Sequence, residues 1–207
     1  MARSRSSKRW LAEYFDDPYV KRAQKMGLRS RSAFKFLELH EKHRLVEPGM
    51  TVVDLGCSPG GWTQVAQSLA GNSGRVIGLD VLPMDPLQGV QFIRGDFTET
   101  TSLEALERAL AGGRADLVLS DMAPNMSGMA AIDQARAFHL AELALEFAGS
   151  HLKTGGNFLV KLFQGEGFDA YVREVRSRFD KASVRKPDAS RARSREVYLL
   201  ALGHQVK

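Results

Sequence analysis

Lys161 interrupts the run Asn157-Phe158-Leu159-Val160-Lys161-Leu162-Phe163, which otherwise reads as a central, buried strand. An unpaired ammonium in such a place is costly, so Lys161 requires a carboxylate partner or access to a cleft. Asp121 is the acid best placed to supply the partner. It follows the apolar run Leu117-Val118-Leu119-Ser120 and opens the proline turn Asp121-Met122-Ala123-Pro124-Asn125. A lysine–carboxylate pair at the ends of neighbouring strands can orient a hydroxyl and take up its proton. A purely structural ion pair is the alternative.

A second constellation surrounds Val52-Val53-Asp54-Leu55-Gly56-Cys57-Ser58-Pro59-Gly60-Gly61-Trp62. An apolar strand, a tight glycine turn and a helix from Thr63 to Leu69 place backbone N–H groups and a helix N-terminus beside a ligand. The dinucleotide pattern G-x-G-x-x-G is not met, because Ser58 stands where its second glycine belongs, and Pro59 stiffens the loop. This turn better suits an adenosine bearing a sulfonium and an amino-acid tail, which is S-adenosylmethionine. Asp80 closes the strand Val76-Ile77-Gly78-Leu79, where an acid can accept both hydroxyls of a ribose. Its other role would be to cap the turn before Pro83. Asp96 follows Phe92-Ile93 and could accept an adenine amino group, or serve as a turn residue. Trp62 could pack on the ligand or belong to the core. Cys57, the one cysteine, reads as a small packing residue.

These residues need a scaffold of strands ending on one edge. Strands are expected at 51–55, 75–79, 90–93, 116–120 and 157–163, and helices at 62–70, 101–111, 131–151 and 167–179. Their alternation predicts right-handed crossovers and a parallel sheet covered by helices on both faces. Late strands near 181–185 and 196–202 would complete seven. Before the sheet, residues 1–8 read as disordered, Lys8 to Lys25 as a helix with Trp10, Leu11, Tyr14 and Phe15 on one face, and Ser32 to Lys42 as a second helix. Residues 1–48 thus form a basic helical extension and 49–207 the α/β domain, together one structural unit.

The net charge of +5 is unevenly spread. Residues 1–31 and 173–195 each carry nine Lys/Arg against three acids, leaving −7 on the rest. Basic segments flanking an acidic body suit a polyanionic partner. Arg191, Arg193 and Arg195 alternate, and in extended chain they would share one side as a phosphate clamp; in a helix they would not. A single cysteine excludes an intramolecular disulfide and fits a reducing cytoplasm. The basic N-terminus runs into Glu13, Asp16 and Asp17 without an apolar core, unlike a secretory signal. No apolar run approaches the ~18 residues of a membrane span. No metal-ligand spacing is evident.

The segments Gly27-Leu28-Arg29-Ser30-Arg31-Ser32-Ala33-Phe34-Lys35, Asp54 through Trp62, Asp121 through Asn125, Val160-Lys161-Leu162-Phe163-Gln164-Gly165 and Arg185-Lys186-Pro187 through Ser194-Arg195-Glu196 resemble the FtsJ/RrmJ (RlmE) family of ribosomal RNA 2′-O-ribose methyltransferases. The resemblance runs from about Trp10 to Leu202. It implies a class I, Rossmann-like methyltransferase fold with a seven-stranded, mostly parallel sheet. It further implies transfer of a methyl group from S-adenosylmethionine to a uridine ribose in the A loop of large-subunit (23S) ribosomal RNA, with the assembled subunit as partner and a monomeric enzyme in the cytoplasm. By motif, the family's catalytic set falls on Lys35, Asp121, Lys161 and Glu196. Its cofactor contacts fall on Gly60, Trp62, Asp80, Asp96 and Asp121. Arg29, Arg31, Arg191, Arg193 and Arg195 are the expected RNA contacts. The Cys57-Ser58 pair departs from the smaller residues often seen there.

On this reading Lys161 is the base, Asp121 positions it, and Lys35 and Glu196 hold the ribose. A nearby cation and desolvation favour the neutral amine that a base requires, whereas Asp121 opposes them; Lys161 as an orienting cation is the alternative. Three rival functions stand beside this one. An NAD-type oxidoreductase conflicts with the missing glycine pattern. A non-catalytic ribosome-assembly protein conflicts with the intact Lys-Asp-Lys-Glu set. A transfer RNA or mRNA cap 2′-O-methyltransferase is separated from it only by the family resemblance.

Overall fold

A computed structural model describes residues 16–205. The expected disorder of residues 1–8 and the face formed by Trp10, Leu11, Tyr14 and Phe15 lie outside the described residues. The chain runs α1 (Pro18–Lys25), α2 (Ala33–His43), β1 (Thr51–Leu55), α3 (Gly61–Ala70), β2 (Arg75–Asp80), β3 (Val90–Arg94), α4 (Thr100–Leu110) and β4 (Ala115–Ser120). It continues through α5 (Ala130–His151), β5 (Leu152–Phe163), α6 (Phe168–Arg178), β6 (Phe179–Arg185) and β7 (Glu196–His204). The strands form one seven-stranded sheet in the order β3-β2-β1-β4-β5-β7-β6. β1 to β5 pair in parallel, whereas β7 is antiparallel to β5 and to β6. The order reverses between β1 and β4, and ligands bind at such a switch point, outside the carboxyl ends of the strands.

Strand periodicity sorts the side chains onto two faces. Val53, Leu55, Val118, Phe158, Val160, Val197 and Leu199 pack against α4, α5 and α6. Val52, Leu117, Leu119, Leu159, Tyr198 and Leu200 pack against α2 and α3 through Phe36, Leu39, Trp62 and Val65. The helix before the sheet therefore shares its core. Asp17 caps α1 by accepting the Tyr19 N–H at 2.9 Å, with Pro18 at the first helical position. α1 then rests on Phe34 and Ala189.

β5 begins at Leu152, earlier than the expected 157, and follows α5 without a loop. Gly155, at φ +78°, and the register irregularity opposite Ala115–Leu117 accommodate this start, which apolar periodicity does not signal. Among the described residues no helix is long and apolar enough to cross a membrane.

Candidate active site

Four of the expected residues converge on the α2 side of the sheet's carboxyl edge. In the antiparallel ladder Lys161 of β5 lies opposite Tyr198 of β7, and Phe163 opposite Glu196. Period two then puts Lys161, Tyr198 and Glu196 on one face. Lys161 Nζ is 3.1 Å from Asp121 Oδ1 and donates to the Asp121 carbonyl at 2.5 Å. The partner expected for this nearly buried ammonium is thus in place. Lys35 reaches down from α2 and donates to Glu196 Oε1 at 2.5 Å.

Tyr198, which sequence reasoning missed, links the two pairs. Its hydroxyl lies 3.1 Å from Asp121 Oδ1 and 3.2 Å from Glu196 Oε1, and accepts from Lys35 Nζ at 3.2 Å. Having one proton, it donates to one carboxylate at a time. The signal was the Glu196-Val197-Tyr198 alternation, which places two polar tips side by side on a strand.

Burial raises the Glu196 carboxyl, but the charge and hydrogen bond of Lys35, the charge of Lys161 and the Tyr198 hydroxyl outweigh it and hold the group below its ordinary range. Burial, and then the charges of Asp121 and Glu196, keep the Tyr198 phenol well above its usual range, so it remains a neutral donor. Lys35 is neutralised by Glu196 and sits over the Tyr198 ring, 5.5 Å from its centroid, so it is not an uncompensated cation facing Lys161.

The glycine turn occupies the other half of the edge. Gly56 (φ +77°) and Gly60 (φ +103°) adopt left-handed conformations. A Cβ at Gly56 would stand 2.9 Å from Met122 Cα, so only glycine lets this turn touch the β4–α5 loop. Asp80 fastens the turn by accepting the Ser58 N–H and the Leu82 N–H, each at 2.8 Å. Each carboxylate oxygen keeps a further lone pair for a ligand hydroxyl. Asp96 uses one oxygen for the Thr98 N–H and hydroxyl, at 2.9 and 2.8 Å, and its exposed carboxylate has no other partner among the described residues. Asp54, buried near the end of β1, accepts from the Thr63 hydroxyl at 2.6 Å, and its second oxygen has no partner among the described residues. Burial raises its carboxyl to about 7 against the opposing Thr63 hydrogen bond, with Asp121 and Asp80 adding to the rise. Cys57 is buried against Gly78 and its thiol is pushed up by desolvation, as a packing residue requires.

Several expectations need correction. The Trp62 indole is only 2% exposed, stacks on Phe36, tilts against Tyr198 and donates to the Ser32 carbonyl. Its ring is core and has no face left for a ligand. Arg29 turns inward, donating to the Asp85 and Pro86 carbonyls at 2.6 and 2.7 Å, which ties the extension to the β2–β3 loop. Arg31 donates to the Ala189 carbonyl and pairs with Asp17 at 3.1 Å, with its buried Nε lacking a partner among the described residues. Both guanidinium groups hold the chain together, a role that the expected phosphate contacts did not include. Residues 191–194 form a turn closed by the Ser194 N–H to the Arg191 carbonyl at 2.9 Å, so the alternating clamp of extended chain is absent. Arg191 lies 3.8 Å from Asp17, while Arg193 and Arg195 are exposed.

The arrangement offers two chemistries side by side. One half presents acceptors and backbone N–H groups around a glycine turn. The other presents a lysine held by a carboxylate, next to a second compensated pair. Together they can hold a polar ligand and deprotonate or orient a hydroxyl beside it.

Comparison with known proteins agrees with this geometry. The model of the FtsJ-like methyltransferase family matches residues 28–204. Ribosomal RNA large subunit methyltransferase E of Stenotrophomonas maltophilia (strain R551-3) is 61% identical over 201 residues, covering 97% of this chain and 96% of that protein. The protein of the same name from Marinobacter nauticus is 57% identical over 206 residues, with both chains covered in full. A solved structure described as a ribosomal RNA methyltransferase from Plasmodium falciparum superposes with a TM-score of 0.77 at 27% identity, over 85% of this chain and 98% of that one. The chain belongs to the FtsJ-like methyltransferase family.

Proposed function

We propose that this methyltransferase moves the methyl group of S-adenosylmethionine to the ribose 2′-hydroxyl of a uridine in the A loop of 23S ribosomal RNA, acting on the assembled large subunit. The observation that carries the reading is the Lys35–Glu196–Tyr198–Asp121–Lys161 network, which adjoins the glycine turn in a chain 61% identical to a relative named ribosomal RNA large subunit methyltransferase E. The donor set fits the cofactor. Asp80 and Asp96 form no ion pair among the described residues, which suits a ligand rich in hydroxyl and amino donors that carries positive charge.

The bound cofactor supplies an electrophilic methyl carbon on a good leaving group. The protein then has to align the 2′-oxygen in line with that carbon and remove its proton. Lys161, fixed by the carboxylate and carbonyl of Asp121, would take the proton in its neutral amine form as the new C–O bond forms and the carbon–sulfur bond breaks. Tyr198 and Lys35 hold Glu196 in place as an acceptor for the ribose. Arg195 and Arg193, exposed beside the site, meet the RNA phosphates.

Mapping of 2′-O-methylation on large subunits from cells lacking the protein, before and after incubation with pure enzyme and adenosylmethionine, tests the reading. One new methylated uridine in the A loop is expected. Methylation confined to transfer RNA or to capped transcripts would overturn it. A thermal shift with NAD but none with adenosylmethionine would replace the cofactor.

A further inference from the structure

The loop between β4 and α5 and the first turn of α5 expose three large apolar side chains within seven residues: Met126 at 68%, Met129 at 62% and Ile132 at 38%. Single exposed apolar residues need no explanation, but a cluster does. From Met122 to Ile132 the sequence has no charged residue, although the segments on either side of the domain are basic. The loop therefore has no cation with which to pair a phosphate.

Both ends of this loop are anchored at the active site. Asp121 leads into it while holding Lys161, and its N–H bonds to the Leu55 carbonyl at 3.0 Å. At the far end Gln134, in the first turns of α5, donates to the carbonyl of Phe163 at 3.0 Å, two residues beyond Lys161. The loop spans the ends of the two strands that carry the Lys161–Asp121 pair.

The tip is also built rather than slack. Asp133 is buried and accepts from the N–H and the hydroxyl of Ser127, each at 2.7 Å, and from the Gly128 N–H at 3.1 Å. These bonds set the backbone between Met126 and Met129, whose thioethers extend outward. Methionine is flexible and polarisable and fits flat, irregular surfaces.

We propose that Met126 and Met129 form an apolar shelf that receives the unstacked base of the target nucleotide. The inference rests on the ribose-methylation reading above. A ribose whose 2′-oxygen is at Lys161 carries its base on the adjacent carbon, so the base must lie against a neighbouring surface. Single-stranded RNA is recognised by splaying bases onto such surfaces. Asp133 acts as a positioning residue for the shelf.

The test uses large subunits lacking the modification and radiolabelled adenosylmethionine, with wild type, the double variant Met126→Ser/Met129→Ser, and the double variant Met126→Leu/Met129→Leu. Both positions are exposed, so the fold tolerates either change. The serine variant should lose about tenfold in kcat/KM for the subunit through KM, on the scale of one or two methylenes of apolar contact. Its cofactor affinity and the salt dependence of RNA binding should stay at wild-type values, because no phosphate contact is removed. The leucine variant should retain most of the wild-type value. Equal activity of all three proteins, or equal loss in both variants, would overturn the shelf while leaving the methylation reading intact. A flattened salt slope in the serine variant would overturn it in favour of a phosphate contact. Absence of methylation by wild type would remove the ribose-methylation reading and the shelf with it.

Discussion

The two halves of the carboxyl edge use acids in opposite ways. Around the glycine turn, Asp54, Asp80 and Asp96 bond only to backbone N–H groups and hydroxyls, with no ion pair among the described residues. Between α2, β5 and β7, Asp121 and Glu196 are each matched to a lysine and joined through Tyr198. The physical consequence is clearest in the two most enclosed acids. Burial raises both, yet Asp54, lacking a cation, rises to about 7, whereas Glu196 is held below its ordinary range by Lys35 and Lys161. Desolvation alone stores a proton; desolvation with a cation fixes a charge. The first half is suited to accept hydrogen bonds from a ligand, and the second to manage a proton during reaction.

Removing Lys161 attacks the second half most directly. Lys161→Ala is expected to lower single-turnover methylation by ~10²–10⁴-fold at saturating cofactor and RNA, while both still bind. The wild-type rate should rise through one ionisation that the variant lacks. Near-wild-type turnover by the folded variant would reduce the pair to a structural one.

Asp54 tests the cation-free half. Its carboxyl is raised in the folded protein, so its contribution to stability is complete below the unfolded value of 3.8 and is lost as pH rises through about 7. That range corresponds to on the order of 4 kcal/mol. Asp54→Asn cannot titrate, so denaturant unfolding at pH 5 and pH 8 should show wild type losing stability relative to the variant as pH rises. Parallel profiles would mean that Asp54 is charged throughout and that the contrast between the halves is false.

Asp80 sharpens the ligand side of the comparison. Asp80→Ala should weaken adenosylmethionine binding by about 1–3 kcal/mol, since a charged acceptor is lost along with the tie to Ser58, and leave RNA binding unaltered. Calorimetry showing unchanged affinity would remove it from the ligand site.

The smallest expected effect separates exposed from committed arginines. Arg195→Ala should flatten the log–log salt dependence of RNA binding by about 0.7 for one phosphate contact. Arg31→Ala should instead lower the unfolding temperature, because it releases Ala189 and Asp17. A salt slope that responds to Arg31 and not to Arg195 would reverse the assignment.

Local pattern carried the strands, apart from the early start of β5, and most helices to within a residue or two, because a buried parallel sheet forces continuous apolar runs between glycine turns. It also singled out Lys161, since a charge inside such a run is conspicuous wherever the chain folds. Asp121 was inferred as its partner from strand adjacency alone. What periodicity could not supply was the direction of long side chains. Arg29 and Arg31 read as free cations in a basic segment, but they serve carbonyls 56 and 158 residues away in the chain. Trp62 was undecided between ligand and core until α2 brought Phe36 onto it at a ring distance of 5.3 Å. Residues 191–194 could have been extended or helical, and they form a turn. Tyr198 joins the site only because pairing with β5 sets it opposite Lys161. The sequence by itself determined which residue types lie on strand ends and which segments must be buried, because those follow from spacing and desolvation cost. The tertiary structure alone decided which polar tips meet, because contacts between Lys35, Lys161 and Glu196 depend on strand register and helix placement, and these are settled only when both faces of the sheet are packed.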